Sequence, residues 1–249
     1  MKLVTCVCAL VAGTFAALEA RATVAAFGMP ERSIGNDVTA FRVGLDPVPL
    51  LELGYVRSAL WETRGARFDA GVSLALPVLL GGRDYRLSLG LAPHVTLSET
   101  FALAFGAAGF WQRAEDETAH MQSFGFEVGV SPRYTRGGFY AGVPLCLRSA
   151  PLLFVENKAY MRFAYDDRYS NGASNDPGSV GGIAGPRDGT YLWTALRVFA
   201  GLEAGVTLEH WALAAGLGSW WTPQAQGLFV SVETGQIPVY LQLDIRRGF

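Results

Sequence analysis

Side chains that could perform acid–base or metal chemistry are scattered through this 249-residue sequence. Its three histidines, His94, His120 and His210, show no spacing typical of a metal site or a catalytic triad. Carboxylates cluster at Asp166-Asp167 and in Glu115-Asp116-Glu117, both in polar connecting segments. We expect solvated charge or weak divalent-ion contacts there, and no catalytic dyad, structural metal or cofactor.

One serine lies in a segment with a family resemblance. Arg168-Tyr169-Ser170-Asn171-Gly172 resembles the His-x-Ser-Asn-Gly/Ala motif of outer-membrane phospholipases and lipid A deacylases. Arg168 stands where the motif has histidine, so no local imidazole would accept the serine proton. Ser-Asn-Gly is also ordinary loop composition. We therefore expect no enzyme, and membrane-lipid hydrolysis ranks last among the functions that the sequence allows.

Charge recurs at another kind of position, on the polar face of alternating segments, among glycine, serine and alanine. The candidates of this kind are Arg42, Glu52, Arg67, Asp69, Arg86, Glu127, Arg148, Glu203, Asp244 and Arg246. If the apolar face of each segment meets lipid, these side chains point into the lumen of a barrel. They would then either pair into a network that fills a narrow barrel or line a path for small solutes. The sequence leaves both interpretations open.

The segments that must hold these charges have the period of a β-strand. From residue 66 to residue 76, Phe68, Val72 and Leu74 fall on one face, and Arg67 and Asp69 on the other. Glycine-rich residues 81–84 then form a hairpin signal. Comparable segments occupy residues 38–46, 50–60, 85–92, 100–111, 124–131, 138–148, 191–208, 211–221 and 237–249.

Composition favours a membrane barrel over other classes. Half of the residues are hydrophobic and the mean hydropathy is +0.23, yet beyond the N-terminus no apolar run is long enough for a membrane helix. Only 17% of residues are charged, which is low for a soluble β-sandwich. A net charge of −2 gives no basic footprint for nucleic acid.

The N-terminus has the pattern of an export signal. Lys2 precedes an apolar stretch, residues 3–18, and Ala20-Arg21-Ala22 matches a small-x-small cleavage site. We predict a signal peptide over residues 1–22 and a single domain over residues 23–249. Once the signal is removed, Cys146 is the remaining cysteine, and we expect it to be a small apolar filler.

The C-terminal strand carries the most specific signal. Apolar residues alternate from Ile237 along one face, and the chain ends at Phe249; that face includes Val239, Leu241, Leu243 and Ile245. A final amphipathic strand closing on phenylalanine resembles the assembly signal of outer-membrane barrels. The resemblance implies recognition by the barrel-assembly machinery. Arg247 departs from the family pattern, which has an aromatic or apolar residue there.

Two similar turn segments, residues 95–103 and 206–213, resemble short periplasmic turns. Placing both on one side gives ten strands, an exposed acidic loop from Arg113 to His120, and a long extracellular loop over about residues 149–190. Extra strands at 158–165 and 228–232 would give twelve, and fusion of weak segments would give eight. Tryptophans near strand ends are expected to form interfacial girdles; they are Trp61, Trp111, Trp193, Trp211, Trp220 and Trp221.

The mature chain as a whole resembles small porin-like outer-membrane barrels, including the outer-membrane protein W type. The resemblance implies an all-β, transmembrane, antiparallel up-and-down barrel in the cell outer membrane, in contact with outer-membrane lipid. It also implies a narrow channel for small solutes or small hydrophobic molecules. A non-conducting surface barrel, whose loops bind a host or matrix partner as an extracellular ligand, is the alternative.

Overall fold

The computed structural model describes residues 34–46, 48–77, 85–115, 119–159, 188–221 and 239–249. The predicted signal peptide, the Ser170 segment and the possible strand at 228–232 lie outside these residues. The same is true of most of the possible strand at 158–165, whose first two residues are not in a strand. No helix among the described residues is long and apolar enough to cross a membrane.

The described residues form antiparallel strands that alternate between an outward and an inward face. In chain order they are β1 (Asp37–Asp46), β2 (Val48–Thr63), β3 (Ala66–Pro77), β4 (Tyr85–Thr96), β5 (Phe101–Glu115), β6 (Ala119–Arg136), β7 (Phe139–Gly142), β8 (Leu145–Asn157), β9 (Gly189–Leu208), β10 (Trp211–Trp221) and β11 (Val239–Gly248).

These strands close into one barrel. Apart from β7 and β8, each strand pairs with the strands before and after it in the chain, and β11 pairs with β1, which leaves the sheet without a free edge. The segments β7 and β8 both pair with β6 on one side and β9 on the other, interrupted at Val143-Pro144. They therefore occupy one position in the wall. The predicted all-β antiparallel barrel of ten strands is confirmed.

The strands are staggered as closure requires. Following paired residues once around the wall from Thr135 on β6, through Asp244 and Arg42, leads back to Ser123 on β6. This return at a different height means that the strands tilt against the barrel axis. As a consequence, residues far apart in sequence share a level inside the barrel.

At one end of the barrel, which we call the turn end, all connections between strands are short turns. They comprise residues 64–65, 97–100, 137–138 and 209–210. Gly137 and Gly138 have φ of 58° and 87°, a left-handed conformation that glycine adopts without strain. The start of β1 and the end of β11 lie at the same end. Both predicted short turns are thus confirmed as turns, on the same side.

The opposite end, called the far end, differs from the expectation in two places. The predicted loop from Arg113 to His120 is wrong in its bounds, because β5 continues to Glu115 and β6 begins at Ala119, with Glu115 paired to His120. The expected loop over 149–190 is also too long at its start. Pairing with β6 and β9 extends β8 to Asn157, so the connection comprises residues 158–188.

Candidate functional site: the barrel lumen

The outward face of the barrel is apolar. Its large side chains are open to the surroundings, among them Leu89 at 70% exposure, Leu192 at 68% and Leu202 at 60%. Outward charged residues lie toward strand ends, as with Arg136 at the end of β6 and Arg57, which pairs with Asp37 at the start of β1. An apolar band of this kind faces hydrocarbon, the organisation of outer-membrane barrels, and the expected outer-membrane location fits it.

Aromatic side chains flank this band on the outside. Trp61 packs on Phe68 near the turn end, with ring centroids 5.1 Å apart. Toward the far end, the Trp111 ring meets those of Tyr85 and Phe124 at 5.3 and 6.5 Å. Trp211 also lies outside, at the first residue of β10. These positions suit interfacial girdles.

Trp220 is the exception among the predicted girdle residues. It packs against the interior cluster of Phe199 and Tyr240, and the Arg197 guanidinium lies 4.7 Å from its ring centroid. Period two explains the difference, because Trp220 falls on the inward face that Gly216 and Gly218 share on β10. The side chains of Trp193 and Trp221 lie outside the described part of the chain.

All ten candidate lumen residues are buried within the barrel. Their exposure ranges from 0% at Asp69, Arg86 and Glu127 to 8% at Arg67 and Glu203. Burial this complete means that even water has almost no contact with them. Buried charges are tolerated only when they are paired and hydrogen-bonded, so their partners decide what the lumen can do.

Four of these residues form a central ion-pair network, made of Glu52, Arg42, Asp244 and Arg246. Arg42 donates to Glu52 at 3.4 Å and to Asp244 at 2.8 Å. Arg246 donates to the same Asp244 carboxylate from Nε at 3.3 Å. Closure of the barrel brings them together, because the first strand, β1, pairs with both β2 and the last strand, β11. This network spans the first two strands and the last one.

A second group, the Arg148 cluster, combines charge with aromatic rings. Arg148 Nε donates to Glu127 at 2.9 Å. Its guanidinium carbon lies 5.6 Å from the Phe110 ring centroid and 5.5 Å from that of Phe199. Two rings and one carboxylate from the neighbouring strands β5, β6 and β9 thus surround a single arginine on the inward face, and cation–π attraction strengthens when water is excluded.

Glycines make room for the rings inside. A Cβ on Gly125 would overlap the Phe110 ring, and one on Gly205 would meet the Tyr140 ring at 2.6 Å. Gly125 and Gly205, on the same inward face as the charges, therefore leave the space that these two aromatic rings occupy. Rings seated on bare backbone fill space at close packing, which further closes the lumen.

A third group, the Asp69 cluster, lies near the turn end. Asp69 accepts from the Ser58 hydroxyl at 3.1 Å and the Ala59 amide at 2.8 Å, and it contacts Arg67 and His94. Ala59 sits in a bulge of β2 with φ of 51°, an unfavourable conformation for alanine. The cluster stabilises this bulge. Ser58 is bonded to the carboxylate and makes no nucleophile–base pair with His94.

Sequence reasoning missed further lumen residues. Arg133 is 1% exposed, contacts Glu203 at 3.5 Å and lies 5.6 Å from the Tyr140 ring centroid. Gln112 is fully buried. Both continue the period-two pattern past the ends of the predicted segments at residues 131 and 111. Extending the alternation across Pro132 would have found Arg133.

The terminal strand carries its expected face outward, with Val239, Leu241, Leu243 and Ile245 all exposed. Arg247, the departure from the family pattern, lies between two aromatic rings on that face. Its guanidinium carbon is 5.3 Å from the Trp211 centroid and 5.0 Å from that of Phe249. Stacked between two rings, the arginine covers apolar surface with its long side chain, as an apolar residue would.

The described residues contain no group of three or more histidine, cysteine, aspartate or glutamate side chains that could hold a metal ion. Cys146 is buried on the inward face, beside the Phe199 side chain. The lumen's chemistry is therefore that of paired charges and rings. These groups can seal a passage or, if they separate, line one.

No protein-family model matches the chain, and no curated protein matches it. Among solved structures, it is similar to the translocator domain of the autotransporter NalP from Neisseria meningitidis, at 12% identity and a TM-score of 0.40, over 89% of this chain and 91% of that one. It is also similar to the KdgM porin, at 7% identity and a TM-score of 0.35, over 85% and 99%. No shared activity follows from similarities this distant.

Proposed function

We propose that this protein is an outer-membrane barrel with a sealed lumen, which does not conduct solutes in its resting state and presents its far end at the cell surface. Near-complete burial of the ten candidate lumen residues carries the proposal. A water-filled channel would leave such charged side chains exposed to solvent, whereas here their exposure does not exceed 8%. The sealed state favours the surface-barrel alternative over passive diffusion.

The contrast between the two ends supports surface display. Turn-end connections between strands comprise two to four residues each. The far end has short connections as well, at residue 47 and residues 116–118, but the two longest connections between strands lie there, residues 158–188 from β8 to β9 and residues 222–238 from β10 to β11. Long connections belong on the extracellular side of such barrels. A host or matrix partner would bind there.

Planar-bilayer recording tests the sealed lumen. We expect no discrete conductance from the wild-type protein. Replacing Arg148, Phe110 and Phe199 together by alanine removes the Arg148 cluster and should produce small single-channel steps. A matched triple variant on the outward face, Leu89→Ala with Phe105→Ala and Leu87→Ala, should stay silent. Steady conductance from the wild type would overturn the proposal in favour of a channel.

Binding at the far end needs its own experiment. Deleting residues 166–187 leaves β9 intact and should abolish attachment of expressing cells to an immobilised panel of matrix proteins. A barrel that still resists detergent before heating shows that the deletion variant folds. Equal attachment with and without the segment would refute the binding role and leave the sealed lumen untouched.

A narrow channel is the second candidate, and the mixed charge of the lumen favours it. Arg133–Glu203 and Arg42–Glu52 contact at 3.5 and 3.4 Å, long for charge-assisted bonds. Separation of such pairs would expose both signs, so a small solute could pass with little selectivity between anions and cations. Conductance that appears only under applied voltage or with a bound ligand would support this candidate.

A further inference from the structure

Seven outward-facing residues form one continuous row across the barrel wall. Neighbouring strands place Val43 beside Leu243, then Ala215, Ala204 and Ala141, then Tyr134 and Phe101. Three consecutive alanines thus lie side by side on β10, β9 and β7. Small side chains on a lipid-facing wall let a partner approach the backbone closely.

Larger side chains border the alanines on both sides. Two residues along each strand toward the far end lie Leu217, Leu202 and Val143, and toward the turn end lie Leu213, Val206 and Phe139. All six are well exposed, between 38% and 60%. The alanines and the residues toward the far end line an apolar groove of about 1060 Å³, the alanine groove.

The groove runs obliquely from the turn end toward the middle of the wall. Near the turn end, the groove begins at Phe101, the first residue of β5, whose ring centroid lies 5.5 Å from that of Tyr134. The groove ends at Val43, which lies several residues from the turn end along β1. Arg136, the last residue of β6, is exposed on the same outward face as Tyr134 and pairs with Phe139. The groove is apolar along its length, and Arg136 lies just beyond it, two residues past Tyr134 toward the turn end.

We propose that the alanine groove is a binding site for one anionic phospholipid of the membrane leaflet at the turn end. An acyl chain lies along the alanines, and its phosphate contacts Arg136 and the Tyr134 hydroxyl. The groove is continuous with the lipid-facing exterior, so hydrocarbon is the chemistry that reaches it. The cation at the headgroup level favours an anionic lipid. The site rests on the proposed membrane location and is independent of whether the lumen is sealed.

Native mass spectrometry of the full protein in detergent tests the site, with added phosphatidylglycerol and phosphatidylcholine as probes. We expect the wild type to retain one phosphatidylglycerol. Ala204→Leu combined with Ala215→Leu fills the groove and should weaken retention of this lipid at least about tenfold, since it removes buried methylene contacts. Ala107→Leu, at an exposed outward alanine elsewhere on β5, is the matched control and should retain it as the wild type does.

Arg136→Gln separates headgroup recognition from acyl-chain binding. It should weaken phosphatidylglycerol about fivefold and leave phosphatidylcholine unchanged, because one cation near the headgroups is lost. A heat-dependent gel shift confirms that each variant folds. Equal lipid retention in all variants would overturn the proposal. A wild-type dimer in the same spectra that the groove-filling variant does not form would also overturn it, because it would assign the groove to a second copy of this chain. Conductance by the wild type would refute the sealed lumen without affecting this result.

Discussion

The outer and inner faces of a single strand present opposite environments one residue apart. On β1, Phe41 and Val43 are exposed on the outward face, while Arg42 between them is 1% exposed and bound to two carboxylates. The outer face needs only to be apolar, since any hydrocarbon contact satisfies it. The inner face needs particular partners, because each buried charge depends on another. We therefore expect the outer face to tolerate any substitution that keeps it apolar. The inner face should tolerate only substitutions that leave each buried charge with a partner.

Breaking the inner face should have the largest effect. Asp244→Asn leaves Arg42 and Arg246 without their shared carboxylate, and we expect a loss of about 3–5 kcal/mol in the free energy of unfolding. Denaturant unfolding in lipid vesicles, followed by tryptophan fluorescence, measures it. Gln242→Met, on the same face of β11 but neutral, should cost less than about 1.5 kcal/mol. Equal losses in the two variants would argue against the central network.

Placing charge on the outer face should have the next largest effect. Leu89→Arg puts a guanidinium against hydrocarbon and should destabilise the barrel by about 2–4 kcal/mol. The comparison is Leu97→Arg, an equally drastic change at an exposed position in the turn of residues 97–100. Facing water, it should stay within about 0.5 kcal/mol. If both variants unfold alike, the apolar band does not face lipid.

Replacing a buried pair by apolar side chains should have the smallest effect. Glu127→Leu alone removes the carboxylate that pairs with Arg148 and should lower the free energy of unfolding by about 3–5 kcal/mol. Adding Arg148→Met should recover most of that loss. The cycle of two single variants and the double variant measures the coupling in the same unfolding assay. Additive losses would show that the aromatic rings, and not the ion pair, stabilise Arg148.

The strands were largely predictable, and their ends were less so. Alternation located each wall position and assigned all ten candidate charges to the inward face, because side chains of a strand change face at every residue. The ends of β5, β6 and β8 were not predicted, because pairing with neighbouring strands extends them beyond the residues that alternate between apolar and polar. Arg133 was missed for the same reason. Trp220 was placed outside from its position near a strand end, although its parity already puts it inside.

Sequence by itself determined the two faces of every strand, the class of barrel and the short turns, because these depend on residues close together along the chain. Tertiary structure alone decided which charges meet and where the small outward residues align. Arg42 reaches Asp244 across 202 residues, and three alanines from β7, β9 and β10 share one row. Both depend on the stagger with which the wall closes, a property of all the strands together and of none by itself.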